Sequence, residues 1–375
     1  MEKDLKSQNT RADSKGYGAH RKGNGESRAR NAMDATRDRA RIEWEKLKEQ
    51  LQGGKRLIVF LHNHPDPDAL AAGWLLQRTA ERLGLRSQIV YKGQFGRAEN
   101  QTMVRLLRIP ARQLRERTRF FKTDRFALVD TQPGSGNNAF PHHKLRCHIV
   151  IDHHPRRAGL EAGFIDIRPD QGACTTMALE YFLAAGCELD ADLATAVAYA
   201  IVSETQDLER ETTTADRKAL QNVLPLVRLQ VLGRIRHPVH DREYYRTVAR
   251  AMRSVRVAKN TCVCHIGEVH QPEMVAEMAD FLIPMDRVTW CLVSGFHKST
   301  MVLSIRTTHE KAQADQVMQY AVRGLGKGGG HYMIAGGSVP CTTMEIYQQR
   351  AEQITTRFLR KLSRRVPENL RPLLE

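Results

Sequence analysis

Between His62 and Asp68 the chain reads His62-Asn63-His64-Pro65-Asp66-Pro67-Asp68, two imidazoles and two carboxylates in one short stretch. Imidazole and carboxylate donors without thiolate suit Mn²⁺, Mg²⁺ or Fe²⁺, whereas structural zinc usually recruits cysteine. The stretch follows Leu57-Ile58-Val59-Phe60-Leu61, a β-branched apolar run that reads as a buried parallel strand. After it, Ala69 to Leu76 has helical composition, with Asp68 placed to cap the first turn. Pro65 and Pro67 fix φ on either side of Asp66, so both carboxylates are presented from a backbone of low entropy. A polar turn with one capping aspartate is the bland alternative. A His-x-x-x-Asp-x-Asp pattern at a strand end offers more donors than a cap needs.

Two further apolar runs end in the same kind of residue. Phe126-Ala127-Leu128-Val129 leads to Asp130, and His148-Ile149-Val150-Ile151 leads to Asp152-His153-His154. Parallel strands deliver their C-terminal residues to one sheet edge, where open α/β sheets bind ligands. Further on, an apolar helix from Asp190 to Val202 runs into Ser203-Glu204-Thr205-Gln206-Asp207 and offers Glu204 or Asp207. These donors exceed what one ion needs. Two ions roughly 3.5–4 Å apart would share a bridging carboxylate and a water, the machinery of phosphoester hydrolysis.

The elements that must position these groups follow from pattern. Ser87 to Tyr91 reads as another strand, Ala98 to Leu107 and Ala173 to Ala185 as helices, and Arg37 to Leu51 as a leading helix. From Leu220 to Arg256 the chain reads as helical, with eight arginines between Arg228 and Arg256 against only Asp241 and Glu243. The α/β pattern then restarts, with strands near Val263, Arg287 and Met301, helices from Pro272 and Lys311, the run Gly328-Gly329-Gly330-His331, and a helix from Met344 to about Leu362. The reading is an α/β protein of two domains, a larger one with a doubly wound, mostly parallel sheet and a smaller α/β one. The divisions are a basic disordered tail at 1–35, a metal-binding domain at 36–225, a basic helical linker at 226–256, a substrate domain at 257–365, and a tail at 366–375.

Composition narrows the function classes. The 375 residues carry a formal charge of +16, with a pI near 9.7, which points to anionic partners such as nucleotides or nucleic acid. Seven cysteines without a C-x-x-C pair form no disulfide framework and fit a reducing cytoplasm. No apolar run approaches the roughly 18 residues of a membrane span, so a soluble protein with no membrane partner is expected.

Taken in order, His62-x-x-x-Asp66-x-Asp68, Asp130, Asp152-His153-His154 and a later acidic residue resemble the DHH phosphoesterase superfamily. Gly328-Gly329-Gly330-His331 resembles the glycine-rich signature of its DHHA1 subfamily, which includes nano-RNase/pAp phosphatases and cyclic di-AMP phosphodiesterases. The resemblance spans about residues 53 to 365 and implies an active site in a cleft between the two domains, with two divalent ions, commonly Mn²⁺. Residue by residue, it implies that His62 and Asp66 hold one ion, Asp68 and His153 the other, and that Asp130 bridges them. His154 would face the scissile phosphate, and Asp152 would orient the histidines. Members usually carry Thr-Asp-Thr-Gly where this chain has Ser203-Glu204-Thr205-Gln206, so Glu204 takes the ligand place with Asp207 as the fallback. Arg306, Gly328, Gly329, Gly330 and His331, with Arg97 and Asn100 from the first domain, would meet the substrate. By the same resemblance, that substrate would be a short oligoribonucleotide or nucleotide, cleaved by an exonuclease or phosphatase type of hydrolysis. A cyclic dinucleotide phosphodiesterase and a nucleotide-binding regulator with a decayed metal site are the alternatives, and a homodimer is left open.

Overall fold

The structure is a computed structural model describing residues 41–209, 211–363 and 370–374. The basic tail at 1–35 and the start of the leading helix lie outside the described residues. What is described of that helix, residues 41–51 (α1), buries Trp44, Leu47 and Leu51 on one face.

Six parallel strands form the first sheet: β1 (Arg56–Phe60), β2 (Arg86–Tyr91), β3 (Ala111–Gln113), β4 (Asp124–Val129), β5 (Ile149–Asp152) and β6 (Phe164–Ile167), in the order β3-β2-β1-β4-β5-β6. Such an order reverses direction between β1 and β4, and the crevice at that switch point is where open α/β sheets place ligands. Leu57 and Val59 face a helical layer made of α1, α2 (Pro67–Arg82), α3 (Ala98–Leu107), α4 (Cys174–Ala184) and α5 (Ala191–Glu204). Ile58 and Phe60 face the opposite side, where loops rather than helices bring Phe120 and Phe140 against Phe126 in an aromatic cluster. Both faces are covered, which is why β1 is apolar throughout rather than alternating.

The stretch read as one basic linker divides between the two halves. After α6 (Thr214–Val223) a 3-10 turn holds Pro225, and α7 (Leu229–Arg236) buries Val231 and Ile235 in the core of the first sheet. The next helix, α8 (Arg242–Ser254), buries Ala251 in the second half. Each basic helix is therefore amphipathic, its arginines outside and its apolar face in a core, and the allegiance changes between residues 236 and 242.

The second sheet is mixed, in the order β11-β12-β10-β9-β8-β7-β13. Its strands are β7 (Arg256–Ala258), β8 (Thr261–Glu268), β9 (Trp290–His297), β10 (Thr300–Thr307), β11 (Lys327–His331), β12 (Ile334–Pro340) and β13 (Arg371–Pro372), with α9 (Met274–Leu282), α10 (Ala314–Val322) and α11 (Met344–Leu362) packed on it. One expectation changes here. The end assigned to a tail includes β13, which pairs with β7. The glycine run forms edge strand β11, paired antiparallel with β12. At Gly330, φ is +152° and an added Cβ would strike the Ile334 carbonyl, so this strand approaches its partner more closely than a side chain permits.

Candidate metal centre and cleft

Asp130 ends β4 at the switch point, buried and in the left-handed region with φ 57°, a conformation costly for a residue with a side chain. Its amide donates to the Ile151 carbonyl at 2.9 Å, which extends the ladder to β5 and fixes where the carboxylate points. One oxygen, Oδ2, lies 3.5 Å from His62 Nε2; the other, Oδ1, lies 3.3 Å from His153 Nε2 and 3.5 Å from His154 Nδ1. His62 Nε2 is also 3.5 Å from Asp66 Oδ2. Two donor clusters thus share one carboxylate: His62, Asp66 and Asp130 on one side, Asp130, His153 and His154 on the other. Two donors each about 2.1 Å from one ion at right angles stand roughly 3 Å apart, close to these separations.

Each ring is set by a backbone carbonyl. His62 Nδ1 donates to Asn63 O at 2.9 Å and His153 Nδ1 to Gln171 O at 3.1 Å. A carbonyl can only accept, so both rings turn Nε2 toward the carboxylates. Gln171 is itself anchored, its amide donating to buried Asp216 at 2.6 Å. His154 differs: Nδ1 contacts Asp152 Oδ1 at 2.8 Å, and its side chain is 52% exposed, leaving Nε2 free on the outer side. Asp152 receives Gln132 Nε2 at 2.7 Å on its other oxygen, so its orienting contact is with His154 rather than with both histidines.

The structure reassigns the cap of α2. Asp66, not Asp68, accepts the Ala69 amide at 3.0 Å, because Pro67 takes the first helical position, where its missing N–H costs nothing. Asp68 reaches another helix instead: its oxygens accept the Cys174 and Thr175 amides at 2.7 and 2.8 Å, at the N-terminus of α4. His153 Nε2 lies 3.9 Å from it. Both oxygens keep lone pairs for a cation, although Asp68 belongs to neither of the two tight clusters.

The electrostatics are those of a site built for positive charge. Burial opposes charge on His62 and His153, yet Asp66 and Asp130 raise the first to about 10, and Asp130, Asp68 and Glu204 raise the second to about 11. Burial and then Asp130 push Asp68 up to about 7, while Asp66, despite burial, is held at about 2 by His62. Glu204 is raised well above the carboxylate range, by burial first and then by Asp66, Asp68 and Asp130, so its carboxyl shares the field of the cluster. Asp207 does not: it is 60% exposed and paired with Arg236 at 2.8 Å. The backbone between them runs left-handed through Gln206, Asp207 and Leu208, which turns Asp207 away.

Beside the cluster lies a cavity of about 520 Å³ lined by Asp66, Arg97, Asn100, Glu204 and, from the second half, Ile334. Arg306 is not on that lining. Its Nε donates to Asp280 at 2.5 Å and its Nη1 to Ser304 Oγ at 2.8 Å and Ile305 O at 3.1 Å, so the expected substrate contact is replaced by internal ones. His331 ends β11, and its side chain lies outside the described residues. Gln132, Gln171, Asp216 and Asp280 escaped the sequence reading. Only the Thr213–Asp216 capping-box spacing announced one of them, and it announced a cap rather than a support for His153.

Residues 56–201 match the family model described as the DHH family, N-terminal domain. That span is similar to a DHH domain. All the clustered aspartates and histidines fall within the matched span, and Glu204 falls just beyond it. An uncharacterized protein of Methanocaldococcus jannaschii is 29% identical over 300 residues, 80% of this chain; the chain spans 60% of that relative's length. Among solved structures, an exopolyphosphatase-related protein from Bacteroides fragilis is similar at TM-score 0.67 and 12% identity, over 83% of this chain and 96% of that one. RecJ of Thermus thermophilus in complex with Mn²⁺ is similar at TM-score 0.51 and 14% identity, over 88% of this chain and 55% of that one. These likenesses extend past the matched span into the second sheet. Among the described residues no helix is long and apolar enough to cross a membrane.

Proposed function

We propose that this protein is a divalent-metal-dependent phosphoesterase acting on short oligoribonucleotides or nucleotides, with its second half a DHHA1-type substrate domain. The observation that carries the reading is the state of Asp130. Its Oδ1 is buried and makes no hydrogen bond, with His153 Nε2 and His154 Nδ1 standing off at 3.3 and 3.5 Å. A buried anionic oxygen left without a donor is costly unless a cation completes it, and here the same carboxylate faces a donor cluster on each side. The residues therefore fit a pair of ions: His62, Asp66 and Asp130 would hold one, and Asp130, His153 and Asp68 the other, with Glu204 contributing from the end of α5. Mn²⁺ fits best, with Mg²⁺ or Fe²⁺ as alternatives, and the RecJ complex with Mn²⁺ supports that choice. Bound there, such ions would acidify a water and neutralise phosphate oxygens.

The chain's own residues do the rest. Asp152, itself fixed by Gln132, holds His154 so that Nε2 faces the open side, where it can hold a proton at an oxygen of the phosphoryl group. Burial of Asp68, Asp130 and Asp152 excludes water from behind the cluster. The adjoining cavity, with Arg97 and Asn100, is large enough for a nucleoside and stands beside Asp66 and Glu204.

The test is a substrate panel: protein with Mn²⁺ against RNA dimers to pentamers, a 24-residue RNA, adenosine 3′,5′-bisphosphate and cyclic di-AMP, with products separated chromatographically. Release of mononucleotides from the short oligomers supports the reading. Turnover of cyclic di-AMP alone would transfer it to the cyclic dinucleotides, and metal-independent nucleotide binding without turnover would make the protein a regulator.

A further inference from the structure

Asp280, on α9, is the meeting point of two arginines from different halves of the chain. Its Oδ1 accepts Arg306 Nε at 2.5 Å and its Oδ2 accepts Arg97 Nη2 at 2.7 Å. Arg306 is 10% exposed and its other donors go to Ser304 and the Ile305 carbonyl, so it is a fixed post. Arg97 is half exposed and stands on the cavity beside Asp66 and Glu204. The neighbouring backbone also lies close to the start of that helix: a Cβ at Gly96 would run into the side chain of Glu273, the residue that precedes α9.

A guanidinium has five N–H donors, and the bond to Asp280 uses one. The others remain for the cavity. An untethered arginine must lose up to about 2 kcal/mol of rotamer freedom when it captures an anion, and a partner that orders it beforehand removes part of that cost.

We propose that Asp280 is the positioning residue of the cleft: held by buried Arg306, its carboxylate fixes Arg97 across the boundary between the two halves so that Arg97 meets an anionic group of a nucleoside phosphate in the cavity. The inference rests on the phosphoesterase reading for its ligand class. It moves Arg306 from a group that touches substrate to one that acts through Asp280.

The experiment is a double-mutant cycle on the full chain, read as adenosine 5′-monophosphate affinity by calorimetry in EDTA, with KM and kcat on an RNA dinucleotide and Mn²⁺ measured alongside. Arg97→Ala should weaken the monophosphate about tenfold, the scale of one charge-assisted hydrogen bond. Asp280→Asn should weaken it several-fold in the wild-type background and no further in the Arg97→Ala background, because its effect runs through Arg97. Arg306→Lys, which keeps the charge but loses the fork, should follow Asp280→Asn. On the dinucleotide, KM should rise by a larger factor than kcat falls. An Asp280→Asn effect that persists in the Arg97→Ala background would make the role merely structural and overturn the proposal. So would tighter monophosphate binding, which would make Asp280 a competitor, or an Arg97→Ala protein with unchanged affinity. Absence of dinucleotide hydrolysis by the wild type would overturn the phosphoesterase reading alone, since the binding cycle needs no turnover.

Discussion

Asp130 and Arg306 are both buried charged side chains near the boundary between the two halves, and their surroundings differ. Asp130 sits on a strained backbone with one oxygen making no hydrogen bond and a donor cluster on either side. Arg306 sits in a regular strand with donors spent on Asp280, Ser304 and a carbonyl. An incomplete buried charge is a place prepared for something else, whereas a completed one is scaffold. In the sequence both read as functional, Asp130 because it ends an apolar strand and Arg306 because its strand resembles the DHHA1 one, and neither pattern shows whether a charge is already satisfied.

The largest expected effect breaks the incomplete side. Asp130→Ala should lower turnover by more than about 100-fold, beyond the range for residues that merely support a ligand, while the protein stays folded. Activity within tenfold of wild type, or a protein that unfolds, would place Asp130 with Arg306 as scaffold.

The pH dependence of metal binding comes next. The field that raises His62 to about 10 and His153 to about 11 keeps both protonated at neutral pH without metal, so a cation must expel those protons to bind. Affinity should therefore rise with pH, about tenfold per pH unit for each proton displaced, with the slope easing above pH 7 as Asp68, raised to about 7, loses its own proton. Mn²⁺ titrations at pH 6, 7 and 8 check this; a flat profile would mean that the ions bind elsewhere.

On the completed side, Arg306→Ala should cost about 2 kcal/mol of stability, less than a wholly buried pair because Asp280 is partly solvated, and should leave metal affinity intact. Denaturant melts and metal titration separate the two. The smallest effect is at Asp207, whose exposed pair with Arg236 is worth well under about 1 kcal/mol; Asp207→Asn should change turnover less than about twofold, while Glu204→Gln lowers both rate and metal affinity. A dead Asp207→Asn enzyme beside an active Glu204→Gln one would reverse the two residues.

Much of the first half was legible because parallel strands put chemistry at predictable positions: apolar runs ending in His62, Asp130 and Asp152 mark one sheet edge whatever the loops do. The DHH resemblance rested on that order. The contacts that complete the site were not legible, because they join residues far apart in sequence. Asp68 reaches the amides of Cys174 and Thr175, Gln171 is held by Asp216, and Arg97 meets Asp280. Nothing in local pattern distinguishes such a carboxylate from one facing solvent. The glycine run carries no side-chain pattern of its own, and its glycines let an edge strand lie close against β12. The basic linker misled because charge dominates composition while the few apolar residues, Val231, Ile235 and Ala251, decide which core each helix joins.

The central claim is that Asp130 joins two metal positions. Electron paramagnetic resonance of the Mn²⁺-loaded protein at rising metal ratios tests it most directly. The account predicts two Mn²⁺ per chain with the multiline spectrum of an exchange-coupled pair, replaced in Asp130→Ala by the six-line signal of isolated ions. Isolated-ion spectra from the wild type at full loading would contradict it.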